Sequence, residues 1–338
     1  MHTTPSPSSG PLDVVVIGGG IAGLSATWRL RDRRVLLLEA NDRLGGRLRS
    51  DQRGEYWLNY GAHLFPGPGT LVQGMVNELG LETAPVTGGM MGLAIGDKRL
   101  TDGRVETYPL RLPLSPRERI EFARAGLRVR RAVVRYLRIA RPGPNESPTA
   151  VRARVLAYLD DTTFADFLGE LSPAVRTVFS CAAHRATAEL HELSAGCGVG
   201  LFALVWGGKG SLIACNLLGG TGELPAAFSR ALGQRALVSA RVTAITPKRT
   251  EQVIEYRLKG DVRRVLARHV IVAVPAPEAA PLVRGVAPAA ADALEQLTYG
   301  AFLSLAVETN ERRRSPWDDV YAMATPGRSF DMFTNQAQ

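Results

Sequence analysis

Long apolar runs, cysteine and histidine are scarce in this 338-residue chain. No window approaches the ~18 uninterrupted apolar residues of a membrane-spanning helix, which argues against an integral helical membrane protein. The opening MHTTPSPSSGPL is rich in proline and serine and has no apolar core, so residues 1–12 read as a disordered tail and not as a secretory signal. The three cysteines, Cys181, Cys197 and Cys215, lack metal-ligand spacing, and their odd number suits a reducing compartment. The cytoplasm is therefore the expected location, with membrane association as a variant. Neither a G-x-S-x-G nucleophile elbow nor an H-E-x-x-H pair occurs, which excludes those two hydrolytic designs. His184 and His191 flank Glu189 and Glu192, but the spacing matches no metal motif, and no metal site is expected. Glycine, at 35 copies, and a hydrophobic fraction of 45% are what the chain does have, a profile that fits an α/β protein. The length suffices for a sizeable core and two domains.

The most informative glycines lie in residues 13–47, DVVVIGGGIAGLSATWRLRDRRVLLLEANDRLGGR. Residues 14–17 are β-branched and apolar, as in a buried parallel strand. Gly18, Gly20 and Gly23 then form G-x-G-x-x-G. The first glycine permits a tight turn, the second leaves room for a pyrophosphate, and the third lets a helix pack on the strand. Residues 21–30 are good helix formers. The helix opens at Gly19, Gly20, Ile21 and Ala22, where unpaired N–H groups and the helix dipole favour a phosphate. A second apolar strand, residues 35–38, ends at Glu39, where an acidic side chain accepts hydrogen bonds from a ribose and repels a 2′-phosphate. These features predict a Rossmann-like dinucleotide site. On them alone a nicotinamide-dependent dehydrogenase stays open.

A second glycine turn follows at once: Glu39, Ala40, Asn41, Asp42, Arg43, Leu44, Gly45, Gly46 and Arg47. This resembles the E-A-x-x-R-x-G-G-R continuation of the FAD-dependent superfamily of amine oxidases, protoporphyrinogen oxidases and phytoene desaturases. The resemblance implies FAD as cofactor, with Gly45, Gly46 and Arg47 near its flavin end. Asn41 departs from the arginine often found there. Residues 56–86 resemble the family segment beneath the flavin, with Gly61 and Ala62 at contact positions and His63 beside them as a candidate acid or base. Downstream, the turn at residues 219–225, the strand-like residues 236–245 and the apolar residues 269–275 also resemble the family. They imply that Val242 meets the adenine through its backbone.

The implied fold is α/β: a Rossmann-like FAD-binding domain (parallel sheet with helices) at residues 13–87 and 216–277, plus an inserted α+β substrate domain at 88–215 and 278–338. Helices are expected over residues 150–167 and 172–188, a hairpin over 91–108, and a further strand over 301–309. Family members continue into a C-terminal G-D…G-A-x-x-S-G segment that closes the flavin site. This chain stops at Gln338 without it, so a C-terminally incomplete chain is expected, and a non-catalytic, FAD-poor relative is one alternative.

The expected chemistry is transfer of a hydride equivalent to flavin N5, with no catalytic acid or base identified. Aligned by eye, Ser304 stands where family amine oxidases carry a lysine, among Leu303, Leu305 and Ala306. That apolar setting favours a small apolar substrate, porphyrinogen or carotenoid-like, over the alternative of a flavin amine oxidase. The electron acceptor is unassigned.

Residues 117–141 hold nine arginines and two glutamates. At ~100° per residue, Arg117, Arg124, Arg128, Arg131, Arg135 and Arg138 share a stripe about 80° wide on a long helix. A solvated face is one reading and a peripheral anchor on anionic lipid the other. No nucleic-acid motif accompanies the arginines, and no nucleic-acid partner is expected.

Overall fold

The computed structural model describes residues 10–65, 70–86, 92–206 and 215–336. Residues 1–9 of the expected tail, and Met91 of the expected hairpin, lie outside them. Two compact units are formed: Met1–Ala84, Cys215–Tyr299 and Ser304–Ala306, and then Pro85–Ala214, Gly300–Leu303 and Val307–Gln338.

In the first unit, strand β1 (Leu12–Ile17), helix α1 (Ile21–Arg29) and strand β2 (Val35–Leu38) form the expected βαβ start. β1 lies parallel to β2, with Val14 opposite Val35 and Ile17 opposite Leu38. Its other flank pairs in parallel with the strand Asp261–Val272. The six-stranded sheet runs Ala240–Lys248, Glu251–Leu258, Asp261–Val272, β1, β2, Ala236–Leu237. Its parallel centre is buried on both faces. Val14, Val16, Val35 and Leu37 pack with Leu24, Leu224 and Phe228 on one side, and Val15, Ile17, Leu36 and Leu38 with Ile254 and Tyr256 on the other. This two-sided burial is why β1 and β2 read as unbroken apolar runs.

Residues 236–245 are two strands, not one: Ser239 adopts φ 54° and breaks the run. Residues 261–269, polar in sequence, extend the next strand, because they form an antiparallel edge with Glu251–Leu258. The helices Ala276–Val283 and Pro288–Glu295 belong to the first unit and not to the substrate domain, with Ala276, Ala279, Ala280 and Ala291 buried.

The second unit joins a helical cluster to a four-stranded sheet. The strands Gly92–Ile95 and Lys98–Leu100 form the expected hairpin around Gly96 and Asp97, while residues 101–104 carry no strand. The arginine helix, Pro116–Ile139, starts at a capping box: Ser115 accepts from the Glu118 N–H, and the Glu118 carboxylate accepts from the Ser115 N–H at 2.8 Å. Its inner face buries Ala125, Val129 and Val133 against Phe164, Val175, Phe179 and Val199. Residues 150–167 are two helices, Pro148–Leu156 and Phe164–Leu168, because Leu159 at φ 52° and the Thr163 cap interrupt the run. Residues 172–188 narrow to Pro173–His184. Residues 301–309 are not a strand: alternation favours an extended chain, but no partner strand pairs with it among the described residues.

Candidate functional site

The glycine turns of the first unit meet face to face. Gly18 takes φ 104°, and a Cβ there would lie 2.7 Å from the Ala273 carbonyl oxygen and 2.8 Å from a Val274 methyl. A Cβ on Gly23 would enter the Gly18 carbonyl oxygen, so the first turn of α1 sits directly on the strand end. Gly20 is the opposite case, since nothing lies within 4 Å of a Cβ built there. Gly20 is also the N-cap of α1, with no side-chain cap and no acid in the first turn. The helix start therefore offers amide hydrogens and positive dipole to an anion, with open space beside it.

The second turn is stitched to the first. The Gly45 N–H donates to the Gly19 carbonyl at 2.8 Å, and Gly20 and Gly45 form a parallel bridge. A Cβ on Gly46, at φ 55°, would touch the Gly20 Cα at 3.3 Å. The close backbone approach at Gly46 leaves little room for a side chain, and the open space beside Gly20 suits a dinucleotide running between the turns.

Buried Glu39 ties the turns to the sheet. Its Oε2 accepts the Gly19 N–H at 2.5 Å, and its Oε1 accepts the Asn41 N–H and side-chain amide, both at 2.8 Å. Half-buried Ala40 follows. The Ala240 N–H donates to the Glu39 carbonyl and the Ser239 N–H to the Asn41 carbonyl, both at 2.7 Å, which brings Val242 into the same neighbourhood. A bulge between Val242 and Ala244 bends the strand there.

The remaining expected residues sit nearby in different roles. Ile21 is half-buried and Ala22 exposed at the start of α1. Arg43 turns its guanidinium back onto the carbonyls of Gly46 at 2.7 Å and of Leu44 and Leu48 at 3.2 Å, clasping the second turn from within. The Arg47 side chain is exposed, and its carbonyl oxygen closes against Gly61, where no Cβ fits; Ala62 is exposed beside it. His63 donates from Nδ1 to the Gly61 carbonyl at 2.9 Å. Burial pushes its pKa below the usual histidine value, so it is a neutral ring holding the turn.

Sequence reasoning missed the partners of the downstream turn. The Thr221 N–H donates to Asn59 Oδ1 at 2.8 Å and the Gly222 N–H to Ser50 Oγ at 2.9 Å. These bonds tie the hairpin of strands Ser50–Arg53 and Tyr56–Asn59 to residues 219–222. The signal available was indirect: amides in a G-G-T-G turn need acceptors, and short polar side chains supply them.

Ser304 does not sit in an apolar setting. Leu303 and Leu305 are 92% and 80% exposed, so the apolar surround read from their sequence is absent. In the second unit, His184 Nδ1 meets Asp331 at 2.6 Å and its Nε2 lies 3.4 Å from Glu189. No group of three or more metal-ligating side chains converges among the described residues.

The model of the flavin-containing amine oxidoreductase family matches residues 21–335. Flavin-containing amine oxidase B of Sus scrofa is 28% identical over 291 residues, covering 79% of this chain and 51% of that protein. A chloroplastic 15-cis-phytoene desaturase of Arabidopsis thaliana is 42% identical over 84 residues, 24% of this chain and 14% of that protein. Among solved structures, putrescine oxidase bound to putrescine superposes with a TM-score of 0.60 at 23% identity, covering 80% of this chain and 60% of that one. Cyclohexylamine oxidase from Brevibacterium oxydans gives 0.58 at 22% identity, with 81% and 60% covered. The chain thus spans about half to three fifths of the length of the relatives it matches along most of its own. The cradle of paired glycine turns and the match across both units lead to one assignment: the chain belongs to the flavin-containing amine oxidoreductase family.

Proposed function

We propose that the protein is an FAD-dependent amine oxidase. The observation that carries this reading is the extent of the likenesses. Flavin-containing amine oxidase B of Sus scrofa aligns with 79% of the chain, while the desaturase likeness is confined to 24%. A likeness of that smaller extent speaks for a shared cofactor and leaves the substrate open. The porphyrinogen or carotenoid-like substrate rested on apolar surroundings for Ser304, and the exposure of Leu303 and Leu305 removes that support. The meeting of the Gly45–Gly46 turn with the first turn favours FAD over a nicotinamide dinucleotide.

FAD held there supplies the acceptor for a hydride equivalent leaving the C–H bond beside the amine nitrogen. The chain's own residues bind and orient. The N-terminus of α1 favours the pyrophosphate through its amides and dipole. Glu39 has acceptor capacity left for one ribose hydroxyl, since about three of its four lone-pair sites meet protein donors. Gly46 and Gly20 keep side chains out of the space between the turns. Neutral His63 and the Arg43 clasp fix the turns that border it.

Anaerobic mixing of the purified flavoprotein with substrates, followed at the flavin absorption band, tests the reading. Primary or secondary amines are expected to bleach the band, and a porphyrinogen or polyene to leave it unchanged. Bleaching by the apolar compounds alone would reverse the assignment.

A further inference from the structure

The outer face of the arginine helix is more than a charged stripe. Of the six arginines, Arg117 pairs with Glu121, and Arg128 donates to the carbonyls of Phe167 and Leu168. The side chains of Arg124, Arg131, Arg135 and Arg138 are exposed and make no hydrogen bond or ion pair with the described residues. Beside them runs an exposed apolar row. Ile120, Leu127 and Val134 are 52%, 45% and 53% exposed and spaced seven residues apart. At ~100° per residue they lie within about 40° of one another, and Arg138, Arg131 and Arg124 continue around the helix over about 40° more. Residues 122–141 contain no acidic side chain to neutralise this face. The row from Ile120 to Arg138 is roughly 27 Å long, straight and helical.

We propose that this face docks the protein on an anionic lipid bilayer, lying in the plane of the headgroups. The apolar row fits the boundary between headgroups and acyl chains, while the long arginine stems reach sideways to lipid phosphates. The pattern disfavours the other occupants. A second copy would set four unpaired arginines against four, with no acid between them. A nucleic acid would meet Ile120, Leu127 and Val134 with a charged backbone, and this face has no aromatic ring on which a base could stack. Three aliphatic side chains are a weak anchor, so the docking is reversible and governed by charge.

Co-sedimentation of the purified protein with vesicles tests this, using phosphatidylcholine alone and phosphatidylcholine mixed with phosphatidylserine. Binding is expected only to the mixed vesicles, strong at about 0.1 M salt and lost at about 1 M. Changing Arg124, Arg131 and Arg138 together to glutamine should weaken it on the order of a hundredfold, at about fivefold per arginine. Changing Ile120, Leu127 and Val134 to serine should weaken it several-fold and leave the salt dependence in place. Circular dichroism checks that each variant keeps its helices. The proposal fails if phosphatidylserine makes no difference, if the glutamine variant sediments like the wild type, or if duplex DNA or an acidic protein binds this face while vesicles do not.

Discussion

Glu39 occupies both carboxylate oxygens with protein donors before any ligand is considered, and all three donors are local to the cradle. The residue therefore shapes the first turn as well as facing a ribose. Gly23 is the stricter constraint. A methyl group there meets the Gly18 carbonyl, which cannot yield without moving β1 or α1. Gly23→Ala is expected to cost about 1–3 kcal/mol or more through overpacking and to lower bound FAD at least tenfold. Thermal unfolding and flavin fluorescence after denaturation measure the two effects. Normal flavin content in a stable Gly23→Ala protein would sink the proposed role. Spacing alone marked Gly18, Gly20, Gly23 and Glu39, because a strand–turn–helix around a pyrophosphate is built from contacts near in sequence. Ser50 and Asn59 were not legible, since their partners lie 172 and 162 residues away in the downstream turn.

At the scale of elements, glycine has a second use away from the cradle. The helix Ala195–Leu201 carries Gly196, Gly198 and Gly200 in seven residues, a composition that by propensity alone weakens a helix. Packing overrides propensity here. A Cβ on Gly198 would sit 2.5 Å from a Phe164 ring carbon, and one on Gly196 would enter the Tyr158 carbonyl. The glycines let this helix approach Phe164–Leu168 and the segment before it closely. Gly198→Ala should gain about 1 kcal/mol of helix propensity and lose more through the collision, about 1–3 kcal/mol. A lower melting temperature is the expected outcome. A higher one would show that Phe164 swings aside freely. The arginine helix was legible in the sequence because six of its arginines recur at helical spacing in one stripe. The commitment of Arg128 to the carbonyls of Phe167 and Leu168 was not, as those partners lie about 40 residues away.

Across the whole molecule, contacts between distant segments decide what short motifs cannot. His184 and Asp331 are 147 residues apart and meet at 2.6 Å within the second unit. The hydrogen bond to Asp331 raises the histidine pKa, against an opposing effect of burial, and Glu189 adds attraction. A histidine whose folded pKa is raised contributes stability that is fully present below its unfolded value of about 6.5 and is lost as pH rises through the folded pKa. The melting temperature of the wild type should therefore exceed that of His184→Gln most in mildly acidic buffer, and the gap should shrink as the pH rises past that window. A gap independent of pH would show that His184 contributes through packing alone.

The sequence by itself determined the βαβ start, the two glycine turns, the acid at the end of β2 and the long arginine helix. Each is encoded by a period or spacing within about thirty residues, where local sterics and burial leave few alternatives. The tertiary structure decided which chains become strands and what their side chains face. Polar residues 261–269 became a strand because a neighbour offered hydrogen bonds, and alternating residues 301–309 did not because none of the described strands pairs with them. It likewise exposed Leu303 and Leu305, because burial depends on the surrounding fold and not on a residue's own hydrophobicity.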